Sequence, residues 1–117
     1  MAHDFKQLRV WQEAVRLTMD VYRLTKKFPQ EELFGLTAQL RRATVSIASN
    51  IAEGCGKSTN ADFKRYLHNA YGSCKEVESQ LILAQRLKID DGRITNELIE
   101  RTRKVQAMLY NLVRNTK

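Results

Sequence analysis

A chain of 117 residues is long enough to bury a hydrophobic core without disulfide support, and this length fits one domain. Apolar residues make up 43%, charged residues 28%, and Pro29 is the single proline, a composition that favours helix over sheet and excludes a disordered chain. Lys and Arg outnumber Asp and Glu by 20 to 13, and the excess is divided evenly between the two halves of the chain. A basic tail is thereby excluded. The charge must lie on the folded surface, which suggests a polyanionic partner, with simple solubility as the alternative.

Localisation and redox state follow from the same simple features. The apolar runs are shorter than the roughly 20 residues that a membrane span needs. Residues 1–4 lack the basic and apolar segments of a signal peptide, so we expect a cytoplasmic protein without membrane contact. Cys55 and Cys74 fit a reducing compartment and form no metal motif, and Cys74 falls on an apolar helical stripe, where we expect it to pack in the core.

The first predicted helix covers residues 5–28, with Asp4 and Gln7 as a capping pair and Pro29 as its end. Its apolar positions are spaced alternately by four and three residues, as in a helix-bundle seam. They are Val10, Ala14, Leu17, Val21, Leu24 and Phe28. A second flank with Trp11, Val15 and Tyr22 makes the apolar surface wider than one seam requires.

The second predicted helix covers residues 34–53 and is followed by Gly54 in the C′ position. Its seam consists of Leu36, Leu40, Ala43, Ile47 and Ile51. Between positions 35 and 52 the only charges are Arg41 and Arg42, and a helix with so few charges is usually buried on more than one side. In a bundle of four helices this predicts a contact outside the monomer. The predicted oligomer interface consists of Trp11, Val15, Tyr22, Val45, Ala48 and Ser49.

Residues 54–58 resemble a phosphate loop in composition, but the spacing GxxxxGK[ST] and the preceding strand are missing, which indicates an ordinary turn. Thr59 and Asp62 form an N-cap pair for a third helix over residues 60–88. Its seam consists of Phe63, Leu67, Ala70, Cys74, Val77, Leu81 and Ala84. Gly72 lies off this seam and allows close approach of a neighbour. A turn at residues 90–92 leads to a fourth helix over residues 95–115, with apolar positions from Leu98 to Leu112.

Four amphipathic segments with short connections and no alternating strand pattern predict a single all-α domain over residues 1–117, an antiparallel up-down-up-down four-helix bundle. The heptad spacing further predicts a left-handed twist.

The sequence shows no catalytic constellation. His3 and His68 are the only histidines, and His68 has no Asp or Glu three or four residues away and no HExxH or ExxH companion. The glutamates are not arranged as in di-iron bundles. We therefore expect no enzyme, no metal and no cofactor.

The candidates for phosphate contacts are four cations that lack an acidic partner within reach on their own helix and three that cluster around the turn between the second and third helices, with only Asp62 nearby. They are Arg41, Arg42, Lys57, Lys64, Arg65, Arg103 and Arg114. Salt bridges between helices or subunits are the alternative for each of them. That alternative weighs most for Arg41 and Arg42, which lie on the helix predicted to form an interface.

Three blocks of sequence carry a family resemblance: residues 5–14 (FKQLRVWQEA), 34–43 (FGLTAQLRRA) and 46–54 (SIASNIAEG), together with Gly72 and Ser73. They resemble bacterial four-helix-bundle proteins encoded in intervening sequences of large-subunit ribosomal RNA genes. That family is similar to the accessory variability determinant of diversity-generating retroelements, which works beside a reverse transcriptase. Ala48 stands where the family pattern has proline, and Cys55 also departs from it.

The resemblance implies a ring-shaped homopentamer with a basic surface suited to RNA or to an RNA–protein complex, and it supplies no catalytic residues. The leading hypothesis is a non-enzymatic oligomer that binds structured nucleic acid, preferably RNA, through its phosphates. The alternative is a protein-interaction scaffold for a partner such as a reverse transcriptase.

Overall fold

The computed structural model describes residues 3–117, which form four α-helices: α1 (Arg9–Thr25), α2 (Leu36–Cys55), α3 (Asn60–Arg86) and α4 (Arg93–Asn115). Two short 3-10 turns, Phe5–Gln7 and Gln30–Glu32, precede α1 and α2. Each helix packs against the next one in the chain, and α4 returns to pack on α1. The predicted all-α, up-down bundle is confirmed, with overall dimensions of 44 × 23 × 19 Å. The left-handed twist stays a prediction.

The predicted seams form the core. Every seam position of α1 and α3 is buried, as are the seam residues of α2 from Leu40 onward, while Leu36 and Leu112 at the bundle ends are half-buried. Buried threonines avoid unsatisfied hydroxyls by donating to the carbonyl four residues earlier, as Thr44 does to Leu40 at 2.7 Å and Thr102 to Leu98 at 2.7 Å. Within the described residues, no helix combines the length and the apolar character needed to cross a membrane.

Helix α1 is shorter than predicted at both ends. Asp4 caps only the 3-10 turn, where its Oδ1 accepts from the Lys6 amide at 3.1 Å, and the extended backbone of Leu8 (ψ 124°) separates that turn from α1. At the other end the helix stops at Thr25, four residues before Pro29, although Phe28 still inserts into the core from the connection. The periodicity of the apolar residues therefore continues past the helix itself.

Gly54 does not terminate α2 as predicted but lies inside it, because the helix continues to Cys55 and Gly56 occupies the cap. The reason is packing between α2 and α3. A Cβ on Gly54 would lie 2.9 Å from Tyr66 Cβ and 3.3 Å from Phe63 Cδ1, so only glycine permits this approach. Gly72, by contrast, has no atom within 4 Å of its ideal Cβ position among the described residues.

The predicted turn at residues 90–92 lies in the connection between α3 and α4, which covers residues 87–92 because α3 ends and α4 begins two residues earlier than predicted. Lys88 (φ 58°) and Gly92 (φ 89°) both adopt the left-handed conformation in this connection. Asp90 Oδ1 accepts hydrogen bonds from the Gly92 amide and the Thr95 hydroxyl, each at 3.2 Å, and so ties the turn to the first turn of α4.

Candidate nucleic-acid interface

A basic cluster surrounds Tyr66 at the end of the bundle where α2 connects to α3. The Lys57 Nζ lies 5.0 Å and the Arg65 guanidinium 4.7 Å from the centre of the Tyr66 ring. The position of the ring is fixed by the close packing of Tyr66 on Gly54. Lys64 lies on the same turn of α3, two residues before Tyr66 and therefore on another face of the helix, and it has no ion pair within the described part of the chain, whereas Arg65 pairs loosely with Asp62 at 3.5 Å. Two predicted cations are thus brought together with an aromatic ring, and the third lies on the same helical turn.

The N-terminal turn of α3 is fixed at the same end. Thr59 caps the helix as predicted, since its Oγ1 accepts from the Asp62 amide at 3.1 Å. Up-down topology also brings the C-terminal turn of α4 to this end, and with it Arg114, whose guanidinium lies 5.9 Å from the ring centre of Tyr110. Four of the seven candidate cations therefore share one end of the bundle.

Arg41 and Arg42 lie towards the opposite end and differ from each other. Arg41 Nε donates to the Thr25 hydroxyl at 2.8 Å, and its guanidinium covers the ring of Tyr22 at 4.6 Å. This side chain joins α2 to α1 within one monomer through a hydrogen bond to a hydroxyl and a contact with a ring, and not through the salt bridge that was the alternative to a phosphate contact. Arg42 is exposed and has no ion pair among residues 3–117.

The prediction that Arg103 lacks an acidic neighbour on its helix is wrong. Arg103 donates to Glu100, three residues earlier on α4, and to Glu78 on α3, both at 2.9 Å. Glu78 also accepts from Gln106 at 2.9 Å, and these hydrogen bonds, the one from Gln106 first, lower the pKa of the Glu78 carboxyl. Arg103 thus belongs to a polar link between α3 and α4.

The predicted oligomer-interface residues lie along the junction of α1 and α2. Trp11 and Val15 are half-buried, and Trp11 packs edge-on against Phe5, with ring centres 5.0 Å apart. Tyr22 and Val45 are 38% and 40% exposed and line one surface cleft together with Met19, which is 52% exposed. Ala48 is half-buried and Ser49 exposed further along α2. The cleft adds Met19 to the set, a residue that the sequence pattern did not single out.

A second polar surface, which sequence analysis missed, lies between α1 and α4. We call it the α1–α4 groove; it consists of two surface clefts that share Arg101. Arg101 donates to Asp20 Oδ2 at 2.5 Å, and Asp20 also accepts from Arg23. The hydrogen bond from Arg101 is the main cause of a lowered pKa at the Asp20 carboxyl, against the opposing effect of partial burial.

Three cations of the α1–α4 groove have no carboxylate partner within the described residues: Arg9 and Lys104 in one cleft and Lys27 in the other. One sequence signal could have indicated this face, since Arg9, Arg16 and Arg23 repeat at intervals of seven residues. The intervening Glu13 and Asp20 largely balance the charge of that row, so it does not stand out in the sequence.

Nothing in residues 3–117 groups three or more His, Cys, Asp or Glu side chains as a metal site. His68 is exposed on α3, while His3 stacks on Phe63 with ring centres 4.6 Å apart. Cys74 is fully buried in the core as predicted, and burial raises the pKa of its thiol to about 12, which keeps it protonated. Burial also raises the pKa of Cys55. Neither thiol is activated as a nucleophile.

The family model of the 23S rRNA-intervening sequence proteins matches residues 6–111, which include all of α1, α2 and α3 and most of α4. The chain belongs to this family. The match spans the basic cluster, the α1–α2 junction and the α1–α4 groove alike, so these surfaces are parts of the family domain and not additions to it. A search of curated proteins finds no match.

The fold recurs in a solved structure. The chain is similar to a protein of unknown function from the S23 ribosomal protein family of Bacteroides thetaiotaomicron, with a TM-score of 0.84 and 20% sequence identity. The alignment covers 91% of this chain and 99% of that one. At this identity the similarity supports the bundle architecture alone.

Proposed function

We propose that the protein is a non-enzymatic, basic homo-oligomer that binds structured RNA through its phosphates. The observation that carries the proposal is the basic cluster, in which Lys57 and Arg65 lie over Tyr66 and Lys64 lies on the same turn of α3. Cations held against an aromatic ring are suited to both phosphate and base contacts. The 23S rRNA-intervening sequence family name is consistent with an RNA partner.

Oligomerisation in this proposal uses the apolar strip at the α1–α2 junction. Met19, Tyr22 and Val45 are exposed in the monomer, and covering them would remove apolar surface from water. The number of five subunits comes from the family resemblance. In a ring, each protomer repeats the same cations, so that one RNA makes several contacts and gains avidity without base-specific readout.

The test measures the mass of the protein in solution and its affinity for RNA. Light scattering should give a mass several times 13.6 kDa, and the affinity for a structured RNA should fall steeply as salt is raised. Replacing Lys57, Lys64 and Arg65 by glutamine should weaken binding for all RNA sequences alike. A monomeric mass would contradict the oligomer, and RNA binding that does not respond to salt would contradict the phosphate contacts.

A second candidate is a protein-interaction scaffold for a partner such as a reverse transcriptase, in line with the similarity to the retroelement accessory family. It is favoured by Phe34, which is 93% exposed in the connection before α2, next to Leu33 at 40%. An aromatic side chain with this exposure is typical of a protein contact. A partner that remains bound in a pull-down after nuclease treatment, and is lost with Phe34→Ser, would support this candidate over RNA.

A further inference from the structure

The net charge of the protein is concentrated on two of its four helices. Helices α1 and α4 hold eight Lys and Arg against four Asp and Glu, an excess of four out of the total of seven, and Lys26 and Lys27 follow directly after α1. Helices α2 and α3 together hold an excess of only two. Because α1 and α4 are the first and last helices, this concentration arises only when the bundle closes and packs them side by side.

The α1–α4 groove is the place where this charge meets an open surface. Its two clefts, of about 280 and 380 Å³, are neighbours with Arg101 in both walls, and their lining holds five Lys and Arg against the carboxylates of Glu13, Asp20 and Glu97. The groove extends along α1 from Arg9 to Lys27, just beyond the end of the helix, or about 27 Å at 1.5 Å per residue. Arg9, Lys27 and Lys104 have no carboxylate partner in the described part of the chain, so their charges are available to a ligand.

The chemistry of the groove walls restricts the class of ligand. A groove of about 27 Å with cations at both ends is too long for a single small anion and fits a polymer with repeated negative charge. No aromatic side chain lines either cleft; the apolar residues are aliphatic or Met108. Single strands are held on aromatic stacking surfaces, whereas duplexes are held by contacts to phosphates and sugars. The groove therefore suits a duplex backbone.

We propose that the α1–α4 groove is a second nucleic-acid contact surface, which holds the phosphate backbone of duplex RNA through Arg9, Lys27 and Lys104. This inference rests on the proposed function, RNA binding, and adds to it a surface and a form of RNA. The groove lies on the flank of α1 that faces α4, and the strip at the α1–α2 junction lies on the other flank, with Arg23 in the walls of both.

The experiment compares three triple variants that each remove three positive charges. The groove variant is R9Q/K27Q/K104Q, the cluster variant is K57Q/K64Q/R65Q, and the control is K26Q/K75Q/R86Q, whose cations lie outside both surfaces. The groove variant breaks no ion pair among the described residues, so its fold should persist, which circular dichroism checks. A charge-conserving variant, R9K/K27R/K104R, separates loss of charge from loss of packing.

The probes are an RNA duplex of about 16 base pairs, a single strand of the same length and a DNA duplex. For duplex RNA, the groove variant should lose at least about tenfold in affinity, and the slope of log K against log salt should fall by about 0.9 for each phosphate contact removed. The single strand should be affected less, and the charge-conserving variant should bind as the original protein does. A parallel loss for duplex DNA would identify the phosphate backbone as the shared ligand.

The outcomes distinguish this inference from the proposed function. If the groove variant binds duplex RNA with the original affinity and salt slope while the cluster variant loses binding, the groove assignment is wrong and RNA binding stands. If the groove variant and the control lose equal affinity for duplex RNA, the loss reflects net charge alone, and the groove assignment is again wrong. If the original protein binds no RNA, the proposed function fails, and the inference fails with it.

Discussion

Helices α2 and α3 meet through small and apolar side chains, whereas α1 and α4 meet across a charged groove. Between α2 and α3, Gly54 lets Tyr66 approach within contact distance of the backbone, and the hydroxyls of Ser46 and Ser73 lie 2.9 Å apart. Between α1 and α4, the polar link is the ion pair of Asp20 with Arg101. The first pair is closely packed, and the second leaves room for water or a ligand. The close contact of α2 and α3 and the open groove between α1 and α4 thus lie on different sides of one small bundle.

The largest effect is expected from a methyl group added where α2 and α3 touch. Gly54→Ala would place Cβ 2.9 Å from Tyr66 Cβ, and both atoms are fixed to helix backbones. We expect the free energy of unfolding to fall by about 1–2 kcal/mol, since the overpacking cost of about 1–3 kcal/mol exceeds the gain in helix propensity. Urea unfolding of the variant and the original protein measures this difference in free energy.

Gly72→Ala is the matched control, because it makes the same change in the middle of α3 at a position with open space. It should raise the free energy of unfolding by about 0.5–1 kcal/mol through helix propensity alone. Equal stabilisation by both alanines would mean that α2 and α3 are not in close contact at Gly54.

A smaller effect is expected on the α1–α4 side. Asp20→Asn removes the carboxylate that accepts from Arg23 and Arg101, and we expect a loss of less than about 1 kcal/mol, since partly exposed ion pairs contribute little. The same change should tighten duplex RNA binding, because it removes one negative charge from the groove. Glu31→Gln alters net charge equally at an exposed position outside the groove, and it should leave both quantities nearly unchanged. Weaker RNA binding by Asp20→Asn would contradict the groove as a phosphate surface.

The smallest effect is expected in how the free energy of unfolding depends on pH in acid. The pKa values of Asp20 and Glu78 lie below their ordinary values of 3.8 and 4.5, so folding favours their charged forms. The stability that they contribute is complete above those ordinary values and is lost as the pH falls through the lowered ones. Measured as unfolding free energy against pH, the curve of D20N/E78Q should therefore be flatter below about pH 4.5 than that of the original protein. Parallel curves would show that neither ion pair favours the charged carboxylate.

Most of the fold could be predicted because it depends on local periodicity. Every apolar position that the alternation of four and three residues predicted for the first and third helices is buried, and Thr25 and Gln80 are buried in addition to them. Helix ends were less predictable. Phe28 continues the apolar pattern but lies beyond α1, and Gly54 is a residue type typical of a helix end but lies inside α2. In both cases a tertiary contact, and not the local sequence, decides the structure.

The candidate site was predicted only in part, for a related reason. Lys57, Lys64 and Arg65 are close in sequence, so their clustering at one turn could be expected. Arg103 pairs with Glu100 three residues earlier on its own helix, a spacing that the sequence does contain. Its other partner, Glu78, approaches from α3, and no local pattern indicates that contact. The α1–α4 groove joins residues that are up to about a hundred positions apart, and no local pattern reports such a contact.

The sequence by itself determined that the protein is a helical bundle with a basic surface, because hydrophobic period and net charge are properties of the chain. Tertiary structure alone decided where that charge is concentrated. An excess that is even along the chain becomes uneven in space, because closing the bundle packs the first helix against the last. It also decided that α2 and α3 pack in close contact at Gly54, since that depends on which residue of the neighbouring helix lies opposite the glycine.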